Sequence, residues 1–147
     1  MAKCSDVMTR EPVSCEPGEA ISRAAEVMKR QDVGAVPVVE TAASRRLVGI
    51  ITDRDIVVKV VADGRDPKSA TIREAMTGSP ATCREDEDVH EAVSRMAERQ
   101  VRRLPVVDAE GRLCGIIAQA DIATRVSKDK TTGELVEAIS EPGTARK

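Results

Sequence analysis

Val33-Gly34-Ala35-Val36-Pro37-Val38-Val39 returns 68 residues later as Val101-Arg102-Arg103-Leu104-Pro105-Val106-Val107. Just beyond it, Leu47-Val48-Gly49-Ile50-Ile51 returns 66 residues later as Leu113-Cys114-Gly115-Ile116-Ile117, and Asp55-Ile56 keeps step with Asp121-Ile122. Upstream, Met8-Thr9, Pro12 and Cys15 are echoed by Met76-Thr77, Pro80 and Cys83. Ordered matches at a nearly constant offset indicate one structural unit present twice. The slip of two residues falls in the polar stretches 41–46 and 109–112, where a hairpin loop changes length at little cost.

Each copy alternates element types. Ile21, Ala24, Ala25 and Met28 stand at i, i+3, i+4 and i+7, one face of a helix, and Val89, Ala92, Val93 and Met96 repeat that stripe. Two runs rich in Val, Ile and Leu follow, at 36–40 and 47–52, with counterparts at 104–108 and 112–117; they read as strands joined by a polar turn. A second helix is expected over 53–62 and again over 119–126. A unit this small cannot bury both faces of its sheet alone, so the two copies are expected to pack together. The repeats are placed at 5–64 and 71–128, followed by a tail, 129–147, with one short helix near 134–140.

Composition narrows the classes of function. The 147 residues carry 23 Lys plus Arg against 25 Asp plus Glu, a net charge of −2 with no basic excess for coating a polyanion. Hydrophobic residues make up 41% and charged residues 33%, a globular balance. Phe, Tyr and Trp are absent, so any bound ring must lie between aliphatic side chains. No run nears the roughly 18 apolar residues of a membrane span. Residues 1–6 lack the apolar stretch of a secretory signal, and the expected location is the cytoplasm. Cys4, Cys15, Cys83 and Cys114 form no CxxC pair and read as free thiols.

A duplicated helix–strand–strand–helix unit that opens with Asp6-Val7-Met8-Thr9 and carries Val36-Pro37-Val38-Val39 and Gly49-Ile50-Ile51-Thr52-Asp53-Arg54-Asp55-Ile56 resembles a tandem CBS-domain pair, the Bateman module. The resemblance runs from about Ser5 to Ser127. Residues 52–66 are also similar to the small stand-alone bacterial pairs of the hypoxic response protein type. The resemblance implies an α/β fold of two CBS repeats packed about a pseudo-twofold axis. It also implies a regulatory module binding AMP, ADP, ATP or S-adenosylmethionine in clefts between the repeats, with no required cofactor, and a homodimer. An unidentified downstream protein would read its state; nucleic acid and membrane are not expected partners.

Thr52-Asp53-Arg54-Asp55 carries two readings at once. As local structure it is a capping box, Thr52 capping a helix while Asp55 reaches back. As a site, it offers backbone donors to an anion and a carboxylate to the two hydroxyls of a ribose. The resemblance assigns one cleft to Ile50, Thr52, Arg54 and Asp55 with Ala81, Thr82, Val101, Arg102 and Pro105. A second, weaker cleft combines Ile116, Ala118 and Asp121 with Val13, Ser14, Val33, Gly34 and Pro37. Ala118 replaces the Thr52 hydroxyl, a loss of about 1 kcal/mol of capping, so the site built on Thr52 and Asp55 is expected to be the tighter. Arg102 and Arg103 are adjacent on a strand, so one of them is expected to face the cleft, and the resemblance favours Arg102. Gly34 and Ala120 stand where Arg102 and Arg54 stand in the other copy, leaving cationic help lopsided.

Catalysis has no support in the motifs. His90 is the only histidine and is expected on an exposed helix position; no Walker-type loop or nucleophile pattern accompanies it. Two non-catalytic alternatives to nucleotide sensing stay open. One is a ligand-free dimeric interaction protein. The other is a thiol-based redox or metal sensor using the repeat-equivalent Cys15 and Cys83, with Cys4 given little weight as part of a mobile end.

Overall fold

The computed structural model describes residues 2–125; the helix expected at 134–140 lies outside them. Along the chain run α1 (Cys4–Val7), β1 (Thr9–Arg10), α2 (Ile21–Gln31), β2 (Ala35–Val39), β3 (Leu47–Thr52) and α3 (Asp53–Ile56). After the two short helical turns Val57–Val61 and Ile72–Glu74 come β4 (Thr77–Gly78), β5 (Cys83–Arg84), α4 (Val89–Arg99), β6 (Arg103–Val107), β7 (Leu113–Ala118) and α5 (Gln119–Arg125). The mixture of helix and sheet is α/β, and β2, β3, β6 and β7 fall where the Val/Ile/Leu runs predict strands to within a residue, while β1, β4 and β5 are not predicted by them.

These elements form two compact units. The central unit is Pro12–Pro80; the composite unit joins residues 2–11 to those from 81 onward. In the central unit β2 pairs antiparallel with β3, from Ala35 opposite Thr52 to Val39 opposite Leu47, and β4 lies on the other edge of β3. All five residues of β2 are buried. In the composite unit the strand order is β1-β7-β6-β5, with β5 parallel to β6 and the other pairs antiparallel.

The twice-written Met-Thr and Gly motifs explain the edge strands. In the composite unit Thr9 and Arg10 pair with Ile116 and Gly115, and a Cβ on Gly115 would stand 2.6 Å from Met8 Sδ and 2.7 Å from the Thr9 carbonyl. In the central unit Thr77 and Gly78 pair with Ile50 and Gly49, and a Cβ on Gly49 would stand 2.8 Å from both Met76 Sδ and the Thr77 carbonyl. Each Met-Thr thus lies against the glycine of the other copy's second strand, a close backbone approach that only glycine permits. Each unit is completed by a strand from the opening of the other repeat.

Helix α4 buries the predicted stripe of Val89, Ala92, Val93 and Met96. Helix α2 departs from its prediction. Ile21, Ala24 and Val27 are buried, Met28 is half-buried, and Ala25 is exposed. Ala25 stands where α4 has Val93; at the edge of the stripe the shorter methyl leaves the buried arc displaced toward Val27. The single helix expected over 53–62 is also modified. It is α-helical only through Ile56 and then widens into a π-helical turn, Val57–Val61, in which the Ala62 N–H donates to the Val57 carbonyl at 2.8 Å. Four valines in that turn carry the restricted χ1 angles that weaken α-helical preference. No helix among the described residues is long and apolar enough to cross a membrane.

Candidate functional site

The central unit holds its candidate residues around the end of the β2–β3 hairpin and the start of α3. Thr52 and Asp55 form the capping box read from the sequence. The Asp55 N–H donates to Thr52 Oγ1 at 3.1 Å, and the Thr52 N–H donates to Asp55 Oδ2 at 3.0 Å. The other Asp55 oxygen faces Lys59 Nζ at 3.3 Å, and Lys59 also donates to the Ala75 carbonyl. The Asp55 carboxylate is therefore oriented by two contacts while keeping 15% of its side-chain surface open. Pro37 lies opposite Ile50 in the ladder, and the Pro37 carbonyl accepts the Cys15 N–H, which brings Ser14 to the same strand. The Gly34 carbonyl accepts the Asp53 N–H at 2.9 Å, and a Cβ on Gly34 would stand 3.1 Å from Asp53 Oδ2. Arg54, Val13 and Val33 are exposed.

Thus Val13, Ser14, Val33, Gly34 and Pro37, assigned from the resemblance to one cleft, share a unit with Ile50, Thr52, Arg54 and Asp55, assigned to the other. Ala81, Thr82, Val101, Arg102, Pro105, Ile116, Ala118 and Asp121 belong to the composite unit.

There Pro105 lies opposite Ile116 and Arg103 opposite Ala118. The Ala118 N–H donates to Asp121 Oδ2 at 3.2 Å, repeating one half of the capping box. The other half needs a hydroxyl, which Ala118 lacks. Arg102, Arg103, Ala118, Gln119, Ala120 and Ala123 line an open recess of about 390 Å³. Two arginines among its lining residues suit an anionic ligand. Both arginines border this recess. Strand β6 begins at Arg103 and Arg102 sits in the bend before it, where the alternation of strand faces does not apply.

Sequence reading missed Arg95. From α4 it donates to the Thr82 carbonyl at 2.7 Å and forms a two-pronged pair with Glu87 at 3.0 and 3.1 Å. The Arg95 guanidinium holds the Glu87 carboxyl below its usual range. Its sequence neighbourhood carries no signal for this; only its partners, 8 and 13 residues upstream, mark it as the support of the Thr82 segment. His90 sits half-buried rather than exposed, its Nδ1 2.9 Å from Asp88 Oδ1 at the start of α4.

The cysteines also depart from expectation. Cys4 is fully buried in the composite unit's core, not at a mobile end, because the Cys4 and Ser5 N–H groups donate to the Glu87 and Glu85 carbonyls. Its thiol donates to the Asp88 carbonyl at 3.9 Å. Cys15 is buried in the central unit, where desolvation and the nearby Glu19 push its thiol up to about 11. Among the described residues, no group of three His, Cys, Asp or Glu side chains is placed to hold a metal.

The CBS-domain family profile matches residues 4–62 and 72–128. Hypoxic response protein 1 of Mycobacterium tuberculosis is 36% identical over 142 residues, covering 97% of this chain and 96% of that protein. A solved structure of Hypoxic Response Protein I with two coordinated zinc ions matches with a TM-score of 0.76 at 36% identity, over 84% of this chain and 98% of that one. CBSX2 in complex with AMP, a CBS-pair protein from Arabidopsis thaliana, matches with a TM-score of 0.74 at 26% identity, over 88% and 99%. The CBS domain pair of MJ0100 in complex with 5′-methylthioadenosine and S-adenosyl-L-methionine matches with a TM-score of 0.77 at 29% identity, over 88% and 99%. Two matched repeats, each carrying its hairpin and its Asp at the strand–helix junction, place this chain in the CBS-domain family as a tandem pair.

Proposed function

We propose that the chain is a non-enzymatic regulatory module that binds an adenosine-containing nucleotide. The observation that carries this reading is the repeated strand–helix junction, at which Asp55 and Asp121 each accept a backbone N–H and hold a carboxylate at the hairpin's end. A carboxylate fixed in this way suits the paired hydroxyls of a ribose. Arg102 and Arg103, in the recess beside Ala118, suit phosphate. Ile50 and Ile116, half-buried opposite the buried Pro37 and Pro105, supply aliphatic surface in a chain without aromatics. AMP in CBSX2 and S-adenosylmethionine in MJ0100 support the adenosine class. Binding would act by favouring one arrangement of the chain through differential affinity, the only way a ligand moves such an equilibrium.

The test is thermal unfolding with AMP, ADP, ATP and S-adenosylmethionine on the wild type and on Asp55→Ala, Asp121→Ala and Arg102→Ala. A ligand at 100 times its Kd adds about 2.7 kcal/mol. Because the Asp55 junction has both halves of the capping box, Asp55→Ala should remove more of the shift than Asp121→Ala, and Arg102→Ala should weaken the phosphorylated ligands selectively. No shift with any ligand, or a shift indifferent to all three substitutions, would overturn the reading.

The exposed Val57, Val58 and Val61 favour a second role, self-association. Three large apolar side chains at 57%, 46% and 62% exposure on one helical turn form the surface that a second copy of the chain would cover. Val58→Asp with Val61→Asp should convert a dimer to a monomer in sedimentation without loss of helix signal; an unchanged sedimentation coefficient removes this role.

A further inference from the structure

We propose that Lys59 is a positioning residue, the link through which a ligand held at Asp55 is felt at β4, the strand that the opening of the second repeat adds to the central sheet. This role rests on the reading of Asp55 as the ribose-binding carboxylate. All of its parts lie in one compact unit. Lys59 Nζ stands 3.3 Å from Asp55 Oδ1 and donates to the Ala75 carbonyl at 3.0 Å. Ala75 directly precedes Met76, Thr77 and Gly78, and the last two pair with Ile50 and Gly49 of β3. Strand β3 ends at Thr52, whose N–H donates to Asp55 Oδ2 at 3.0 Å. The contacts thus close a ring, from Asp55 through Lys59 and Ala75 to β4, across to β3, and back through Thr52.

The lysine is placed for orientation more than for stability. Its side chain is 45% exposed, and an open ion pair of this kind contributes little to folding. It is the one charged residue in the helical turn Val57–Val61, where every other side chain is valine. Its ammonium nevertheless turns back onto the protein and meets acceptors from two different segments. A carboxylate offers about four lone-pair sites. The Thr52 N–H and Lys59 occupy one on each oxygen of Asp55, which orients the group and leaves one on each for a pair of hydroxyls. A ribose there would cover the surface of Asp55 that is still open. With water excluded, the attraction between Asp55 and Lys59 strengthens. The ammonium is then held more firmly at the Ala75 carbonyl, and that firms the segment leading into β4. By reciprocity, removing the lysine's charge weakens the hold on the ligand.

The test follows AMP affinity by calorimetry and the hydrogen–deuterium exchange of Ala75, Met76, Thr77 and Gly78 in the full chain. AMP should slow exchange there in the wild type. Lys59→Met keeps the length and loses the charge; it should weaken AMP about fivefold, the lower end of usual couplings between sites, and abolish the slowing. Lys59→Arg keeps the charge and the donors and should restore both, which a role in packing alone would not require. Without ligand, Asp55→Asn and Lys59→Met should each quicken exchange in β4, and the double variant no further than either one. This ligand-free cycle separates two failures. A wild type that ignores AMP while the cycle is non-additive counts against the nucleotide reading and upholds the link through Lys59. Additive effects in the cycle, β4 exchange indifferent to Lys59→Met, AMP affinity unchanged by Lys59→Met, or a loss that Lys59→Arg does not recover would overturn the proposal.

Discussion

Gly115→Ala tests the exchange of edge strands directly. The added methyl would sit 2.6 Å from Met8 Sδ and 2.7 Å from the Thr9 carbonyl, both well inside ordinary contact. Met8 cannot swing away cheaply, since it is 2% exposed and packed in the composite core. The Thr9 carbonyl cannot retreat without disturbing the pairing of Thr9 with Ile116. Overpacking of this kind costs about 1–3 kcal/mol. At about 2–4 °C per kcal/mol for chains of this size, the unfolding midpoint should fall by roughly 2–12 °C. Gly49→Ala should cost less, because its contacts are 2.8 Å and Met76 is only half-buried and can yield. Gly18, with nothing within 4 Å, is the control. An alanine there should be neutral or add about 0.4–1 kcal/mol by restricting the unfolded chain. Circular dichroism melts of the three variants decide the matter. A Gly115→Ala midpoint equal to the wild type's, or a Gly18→Ala loss as large, would refute the claim that Met-Thr against Gly is a tight structural joint.

Further expectations concern caps and charges. Thr52→Ala should lower stability by about 1 kcal/mol in urea unfolding, since the Asp55 N–H loses its acceptor. The reverse change, Ala118→Thr, supplies the missing hydroxyl at the second junction and should stabilise by up to about 1 kcal/mol. Glu87 has a lowered folded pKa because Arg95 pairs with it, so its contribution to stability is present above the ordinary Glu value near 4.3 and is lost as pH falls through the depressed one. Arg95→Ala should therefore lower the midpoint more at pH 7 than at pH 3; an equal loss at both would assign Arg95's role to packing alone.

Local chemistry made much of this molecule legible. The hairpins at 35–52 and 103–118 follow from short β-branched runs and a polar turn, and the Thr52–Asp55 box follows from residues three apart, so a linear reading suffices for both. The same locality located the weaker second cap at Ala118. Ala25 marks where such a reading stops, because periodicity proposes a face but the neighbours decide its width.

The features that link distant parts of the chain needed tertiary structure. The sequence contains Met8-Thr9 and Gly115, and Met76-Thr77 and Gly49, as repeated motifs without saying that each pair meets. Cys4 looked like an uninformative terminal thiol until its segment was seen hydrogen-bonded to residues 85 and 87 and its sulfur to the Asp88 carbonyl. Arg95 likewise gained a role only from the carbonyl of Thr82 and the carboxylate of Glu87. The sequence by itself determined the duplicated unit, its strands and its caps, because hydrophobic period and hydrogen bonds between near neighbours are written in consecutive residues. Tertiary structure alone decided which opening segment completes which sheet and which core takes in Cys4, because pairing across scores of residues depends on shape and burial that no local pattern encodes.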